Sequence, residues 1–285
     1  STPVNGLAIS MSERILVKNL TIDWDPVLVV PGIIEDVGAT GQRFVVQSPE
    51  YYVPDPSKPP KLVVFAGYDF ANRTFLHQSR SRGGANAAFN PNFSEDHEYF
   101  YAFKDRYFPS GLTAIGIVKS GAAAHVSASS HDVAFESVHV LGGGGIGFVF
   151  GYDTRGIRLS NSKVVRKPDA LLKEGEKPRF ISVWGDSDAR ENRGELLIEN
   201  SEFELVEDDG FNLVGRYQPI SAVKSAAQIE LISSWPSPYF PHPLRKGDVL
   251  ELSDPATLEP LSPKSPAITS VAYEDFTDWL GRKKA

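Results

Sequence analysis

The chain has 285 residues, a formal net charge of −7 and no cysteine. The negative charge argues against a nucleic-acid partner, because neutralising phosphates requires a continuous basic surface. Without cysteine the chain has no disulfides, thiolate metal ligands or thiol nucleophiles. No apolar run is long enough to span a membrane, so a membrane partner is not expected either.

The abundance of turn residues predicts an all-β protein. The 24 glycines and 21 prolines divide the chain into short segments, and almost no long segment has a helical period. Many short strands joined by frequent turns are therefore expected.

One strand pattern occurs four times along the chain. Each copy alternates apolar and polar residues, continues with Asn or Ser, and has a further apolar residue two or three positions later; the copies are 14–22, 132–140, 156–164 and 195–203. Alternation of this kind is typical of a strand buried on one face. Val133 and Ile157 are 24 residues apart, and Ile157 and Leu196 are 39 apart because of a polar insertion around 168–178. A repeat of this length with short strands predicts a solenoid, here a right-handed parallel β-helix.

The repeats also align a polar position at one corner of the predicted β-helix. Asn19, Ser137, Asn161 and Asn200 occupy equivalent places in the four copies. We expect them to stack as a ladder whose side chains bond the main chain that the turn leaves unpaired.

The repeat divides the chain into four parts. Residues 1–26 begin the β-helix, and 27–111 interrupt it with proline-separated strand patterns that predict an inserted β-barrel-like module. The β-helix is expected to resume at 112 and to run to 215. A second β-barrel-like module follows at 216–285, with candidate strands at 227–232 and 248–252. Because a solenoid needs its end turns covered, we expect a homo-oligomer or a further chain segment to complete the β-helix.

Acidic residues recur at one repeat length in the resumed part. Asp186 precedes Asp208 by 22 residues and Asp209 by 23. Because neighbouring parallel strands are about 4.8 Å apart, stacked repeats bring these carboxyl groups to about 5–9 Å, the range of retaining and inverting glycosidases. Like charges at that distance raise the pKa of one carboxyl group, which can then act as a general acid. The alternative is that these residues only form turns on a solvated edge.

The segments around these acids resemble the α-galactosidases of glycoside hydrolase family 110. Those enzymes are similar in carrying one Asp on one turn of a β-helix and a pair of Asp residues on the next. Short motifs in the order of the family carry the resemblance, at 20–26, 124–126, 180–186, 193–203, 207–212, 246–252 and 254–258.

The resemblance implies inverting, exo-acting removal of terminal α-linked galactose from an oligosaccharide or glycan. Asp186 would be the general acid, and Asp208 and Asp209 would hold and deprotonate the attacking water. The residues expected to bind the substrate are Trp184, Asp188, Arg190, Asn212 and, through the resemblance, His125. Neither a cofactor nor a metal is expected, and a secreted or periplasmic location fits such a substrate.

Two alternatives remain open at this stage. The family usually has a His shortly after the acid, where this chain reads 187–190 as Ser-Asp-Ala-Arg, so a carbohydrate-binding β-helix with impaired catalysis is the first. The second is a Ca²⁺-dependent polysaccharide lyase that uses Arg190 or Arg216 as base, since hard cations take several carboxylates. A polygalacturonase fits less well, because the Gly-His-Gly and Arg-x-Lys motifs of that family do not follow Gly215.

Two further patterns have a simple structural interpretation. Gly142–Gly147 fits G-x-G-x-x-G, but Phe148–Phe150 reads as a strand rather than as the helix that a dinucleotide site requires, so we predict a tight corner. His125, His131 and His139 lack the spacing of a zinc pair on a helix, so hydrogen-bonded histidines are expected instead.

Overall fold

The structure is a computed structural model, and its described residues cover most of the strand-forming parts of the chain. They are 5–24, 29–38, 41–47, 62–81, 88–90, 100–103, 108–118, 121–127, 129–142, 145–151, 154–183, 185, 187–190, 194–206, 210–214, 220–231, 244, 246–254, 256–257, 259–262 and 266–272. At 63–64, 77–81, 88–90, 100–103, 118, 190 and 214 only the main chain is described. The chain divides into two compact units, Ser1–Gly215 and Arg216–Ala285.

The described residues form strands, one short 3-10 turn at Asp169–Leu171 and no α-helix, which confirms the all-β prediction. The strands are β1 Leu7–Ser10, β2 Glu13–Lys18, β3 Thr21–Asp23, β4 Val29–Val37, β5 Gly41–Val46, β6 Leu62–Asp69, β7 Thr74–Ser81, β8 Ala88–Asn90, β9 Phe100–Phe103, β10 Thr113–Val118 and β11 Ala122–Ser127. They continue with β12 His131–Glu136, β13 His139–Leu141, β14 Ile146–Phe150, β15 Arg155–Ser160, β16 Lys163–Val165, β17 Ser187–Arg190, β18 Leu196–Glu199, β19 Glu202–Phe203, β20 Phe211–Val214, β21 Ile220–Ser225 and β22 Gln228–Leu231.

Three parallel sheets contain the strands of the repeated pattern. Their strand orders are β1-β11-β14-β17-β20, β2-β12-β15-β18 and β3-β13-β16-β19. Val133 in β12 pairs in register with Ile15 on one side and with Ile157 on the other, and Ile157 pairs with Leu196. The pairing therefore follows the alignment of the sequence repeats, so residues far apart along the chain become neighbours across the sheets.

The inward-facing residues of the three parallel sheets share one hydrophobic core. Val133, Phe135, Phe148, Phe150 and Leu159 are each 0% exposed in this cluster. The rings of Phe135 and Phe148 meet edge to face, with centroids 5.4 Å apart. Burying a side chain of this size stabilises the fold by about 1.5–3 kcal/mol, so the apolar positions of the repeat hold the sheets together.

The corner between the second and third parallel sheets has a left-handed backbone in every copy. Asn19, Ser137, Asn161 and Asn200 have φ of 55°, 56°, 48° and 48°. Asn adopts this conformation more readily than most residues, because its short polar side chain can bond locally. The sequence repeat therefore preserves a backbone requirement at this position.

The side chains that bond the main chain at this corner lie one residue later than expected. The Ser162 hydroxyl accepts from the Val138 amide at 3.1 Å, and the Ser201 hydroxyl accepts from the Ser162 amide at 3.3 Å. The prediction of a ladder of asparagine amide bonds is therefore wrong, and serine hydroxyl bonds between neighbouring strands take its place. The reason is exposure: Ser162 and Ser201 are less exposed than Asn161 and Asn200, which precede them.

The module inserted after β3 is a seven-stranded antiparallel sheet in the order β7-β6-β10-β4-β5-β9-β8. Ile34, Phe44, Phe65 and Phe108 pack in its core, and the Phe44 and Phe65 ring centroids are 5.1 Å apart. We predicted that the parallel part would resume at 112, but β10 belongs to this antiparallel sheet, between β4 and β6. Its residues 114–117 are all buried, as a central strand covered on both faces requires.

The polar insertion between β16 and β17 contacts this antiparallel sheet. The Tyr68 hydroxyl donates to the Phe180 carbonyl at 2.6 Å, and Ile181 is buried in a cluster with Ala66 and Ile115. Arg73, after β6, forms an ion pair with Asp169 in the insertion. The insertion that lengthens one repeat therefore contributes contacts between the antiparallel and parallel sheets.

A cluster of four charged residues, Asp23, Lys167, Glu176 and Arg179, joins the insertion to the end of β3. The Lys167 and Arg179 side chains are only 7% and 4% exposed. The Lys167 ammonium lies 2.7 Å from both Asp23 and Glu176, and the Arg179 guanidinium lies 2.7 Å from Glu176 and 3.3 Å from Asp23. Each buried cation therefore has two carboxylates as partners.

The second unit contains the hairpin β21–β22, with Val223 opposite Ile229. The candidate strand at 227–232 corresponds to β22. The prediction of a strand at 248–252 is wrong, because the described residues there form isolated bridges, from Val249 to Ala267 and from Ser253 to Pro260. Two bridges held by turns satisfy fewer main-chain groups than a ladder does, so a continuous strand does not form there.

The glycine-rich segment after β13 leads into a strand, as predicted. Gly142 has φ of 72°, and β14 begins at Ile146; residues 143 and 144 lie outside the described part. Over the part of the chain that the structure describes, no helix has the length and apolar character needed to cross a membrane.

Candidate functional site

Three of the five predicted substrate-binding residues lie on one row of the five-stranded parallel sheet. His125 in β11 pairs with Val149 in β14, Val149 pairs with Asp188 in β17, and Asp188 pairs with Asn212 in β20. Ala8 in β1 pairs with His125 and ends the row. We call these five residues the outer row.

The outer row faces away from the core because side chains alternate along a strand. Ala124, Val126, Phe148, Phe150 and Ala189, which flank the row on three strands, all belong to the buried core cluster. Since neighbouring strands are about 4.8 Å apart, Asp188 lies next to Asn212 and about 10 Å from His125.

Asp188 is much more buried than a residue on a solvated edge would be. It is 1% exposed, and it has an interaction partner. A buried carboxylate is costly unless it is hydrogen-bonded or paired, so Asp188 is held by its surroundings. Arg190 ends β17 with its main chain paired to Val214, and its side chain is outside the described part.

The predicted catalytic residues Asp186, Asp208 and Asp209, together with Trp184, lie outside the described residues. The strands that follow them are described: β17 begins at Ser187, and β20 begins at Phe211. Ser187 and Phe211 pair directly across the two strands. The sequence segments that carry the acids thus lead into neighbouring parallel strands.

His125 is half-buried, and burial lowers the pKa of its imidazole below the ordinary value. Its Nδ1 lies 3.3 Å from Nδ2 of Asn5, which comes from the segment just before β1. The Asn5 Oδ1 accepts a hydrogen bond of 3.0 Å from the Ala122 amide. At the other side of the ring, Gly151 leaves space: a methyl group added there would lie 3.4 Å from Nε2.

Sequence reasoning missed Asn5 and the four-residue charged cluster. Asn5 and His125 are 120 residues apart, and Arg179 and Asp23 are 156 apart. The signal that could have found Asn5 is its position shortly before the first repeat strand, since the strand pairing brings the start of each repeat to the same edge.

His131, another of the histidines considered as metal ligands, has two acidic neighbours. His131 lies 3.1 Å from Glu13 and 3.2 Å from Asp132, which agrees with the expected hydrogen-bonded role. Among the residues that the structure describes, no three His, Cys, Asp or Glu side chains are grouped so that they could hold a metal ion.

Neither the models of known protein families nor the curated proteins give a match to this chain.

Proposed function

We propose that the three parallel sheets form a right-handed parallel β-helix into which the antiparallel module is inserted. What supports this is the order of the strands. β11, β12 and β13 enter the first, second and third sheets in turn, and β14, β15 and β16 do the same one repeat later. In such a coil each repeat makes one turn, so equivalent residues of successive turns are stacked.

We propose that the protein is a glycoside hydrolase that removes terminal α-linked galactose from glycans with inversion. The observation that carries the proposal is the direct pairing of Ser187 with Phe211 and of Asp188 with Asn212. Because the acid-bearing segments lead into these two strands, Asp186 and the pair Asp208–Asp209 belong to successive repeats.

In this proposal Asp186 donates a proton to the glycosidic oxygen, and Asp208 and Asp209 activate the attacking water. Inversion needs the acid and base about 6.5–9.5 Å apart, to leave room for water on the opposite face of the sugar ring. Repulsion between neighbouring carboxylates keeps one of them protonated, which supplies the acid.

The outer row would bind the rest of the glycan. Asn212 offers an amide group to sugar hydroxyls beside the acids, and His125 offers an imidazole about two strands farther along. Asp188 is 1% exposed, so it would order this part of the row rather than meet the sugar. Trp184 would stack on the apolar face of a sugar ring, and Arg190 would bind hydroxyl groups at the end of β17.

The experiment that tests this function is hydrolysis of a panel of aryl α-glycosides and α-galactosyl oligosaccharides. Asp186→Asn and Asp208→Asn should each lower kcat by about 10²–10⁴-fold, the contribution of a positioned proton-transfer group. Following the anomer first released by NMR then checks inversion.

The matched control is Asp132→Asn. Asp132 has a side chain 64% exposed in a different sheet, and Asn tolerates its φ of 55°. This variant should keep full activity. Hydrolysis that is unaffected in both Asp186→Asn and Asp208→Asn would rule out the assigned roles.

The same assays separate the two alternatives. Glycan binding without any turnover in the unaltered protein would identify a binding protein with impaired catalysis. Activity that is lost on chelation and yields a product with a new C=C absorbance would identify a Ca²⁺-dependent lyase instead.

We infer a secreted or periplasmic location as part of the same proposal, because galactose-terminated glycans of this kind are met outside the cytoplasm. Fractionation of the producing cells tests this location, and recovery of the protein only from the cytoplasm would contradict it.

A further inference from the structure

The orientation of the Asn5 side chain follows from a single main-chain contact. The Ala122 amide can only donate a hydrogen bond, so the Asn5 atom that meets it at 3.0 Å is the carbonyl oxygen Oδ1. The other terminal atom of Asn5, 3.3 Å from Nδ1 of His125, is therefore the amide nitrogen Nδ2. An amide nitrogen donates and does not accept, so Nδ1 of His125 must accept.

A neutral imidazole has one donor nitrogen and one acceptor nitrogen. With Nδ1 as acceptor, the proton of neutral His125 resides on Nε2. Protonation of Nδ1 would direct its N–H group against the Asn5 amide protons, and the Asn5 contact thus disfavours both the other tautomer and the imidazolium.

The Nε2–H group is the part of His125 that remains available. Within the described part of the chain Nε2 has no hydrogen-bond partner, and the missing side chain at Gly151 leaves space next to it. Its neighbours on the outer row, Ala8 and Val149, carry no charge, and Asp188 is the next residue along the row. The donor therefore belongs to the same sheet face as Asp188 and Asn212.

We propose that Asn5 is a positioning residue that holds His125 as the Nε2–H tautomer, so that Nε2–H donates a hydrogen bond to a hydroxyl oxygen of a bound glycan. The first part of this proposal stands on the contacts of Asn5 alone. The second part rests on the proposed function, and it gives the glycan a contact about two strands away from Asp188.

The first test determines the tautomer by ¹⁵N NMR of the histidine rings, above the pH at which imidazole is protonated. His125→Gln identifies the His125 signals by their disappearance. In the unaltered protein, Nδ1 of His125 should have the shift of an unprotonated nitrogen and Nε2 that of a protonated one. Asn5→Asp keeps an oxygen for the Ala122 amide but turns the second atom into an acceptor, so the two shifts should exchange.

The matched control is Asn161→Asp, the same chemical change at an exposed corner of the chain. It should leave the His125 shifts unaltered. A protonated Nδ1 in the unaltered protein, or a tautomer that does not change in Asn5→Asp, would overturn the positioning role. A merely structural role of Asn5 would change stability without reversing the tautomer.

The second test concerns the ligand and uses α-galactosyl oligosaccharides. Asn5→Asp should raise KM roughly three- to tenfold, the effect of one hydrogen bond, with kcat little altered. Gly151→Ala should raise KM similarly without changing the tautomer, because its methyl group would contact Nε2 at 3.4 Å and the backbone tolerates it.

The outcomes separate this inference from the proposed function. If the tautomer reverses but no glycan is bound or hydrolysed, the positioning role stands and the proposed function fails. If glycans are hydrolysed with the same KM in all variants, the function stands and the glycan contact of His125 is overturned.

Discussion

At the residue scale, the repeat preserves a backbone conformation as well as an apolar pattern. Asn19, Asn161 and Asn200 occupy left-handed corners, and so does Ser137. A second left-handed row runs through Arg14, Asp132 and Gly156, with φ between 55° and 59°. Here residue identity varies while the conformation persists, because strand pairing on both sides imposes the turn. The repeated corner at the asparagines could be read from the sequence, whereas the row through Arg14 could not, since Arg does not indicate positive φ.

A substitution at Asn161 tests the cost of this conformation. Asn161→Ala should lower the free energy of unfolding by about 1–2 kcal/mol, because Ala is disfavoured at φ of 48°, a region that Asn adopts more readily. Asn161→Gly should be close to neutral, since glycine adopts this region freely. Denaturant unfolding of the three proteins measures the difference, and equal stability of the alanine and glycine variants would contradict the explanation.

At the element scale, the insertion between β16 and β17 is held by the charged cluster rather than by apolar packing alone. Hydrogen bonds from Lys167 and from the Lys173 main-chain amide lower the pKa of Glu176 from its ordinary 4.5 to about 2. Sequence reasoning recognised the insertion as a polar interruption of the repeat. It could not identify Asp23 as a partner of Lys167, because the two residues are 144 positions apart in the sequence.

The cluster predicts a loss of stability in acid. Because the pKa of Glu176 is lower in the folded protein, its stabilising contribution is complete above about pH 4.5 and is lost as the pH falls towards 2. Glu176→Gln removes this titration. The difference in free energy of unfolding between the unaltered protein and this variant should therefore shrink as the pH falls from 4.5 towards 2. Unfolding measured as a function of pH checks this result. Glu174→Gln changes an exposed residue of the same loop and should retain the original pH dependence.

At the scale of the whole molecule, the hydrophobic clusters found among the described residues lie in the first unit. The three hydrophobic clusters are formed by residues between Leu7 and Phe211. In the second unit, Val223, Val249 and Leu261 are more than 60% exposed. The stability of the first unit is therefore expected to come from its own cores.

A protein that ends at Gly215 tests this independence. It should retain the β-sheet circular dichroism signal and unfold cooperatively. Its free energy of unfolding should lie within about 1 kcal/mol of the value that the first unit has in the full chain. The full chain measured under the same conditions is the reference. A non-cooperative or aggregated 1–215 protein would show that residues after Gly215 support the first unit.

The sequence by itself determined the all-β class, the spacing of the repeat and the residues that pair across the parallel sheets, as Ile15, Val133 and Ile157 illustrate. These features are periodic and local, so alternation and turn residues reveal them. Only the tertiary structure decided that β10 joins the antiparallel sheet, that Asn5 meets His125 and that Arg179 meets Asp23. Such contacts depend on where the folded chain brings distant segments together, and each is a single hydrogen bond or strand pairing that leaves no period in the sequence.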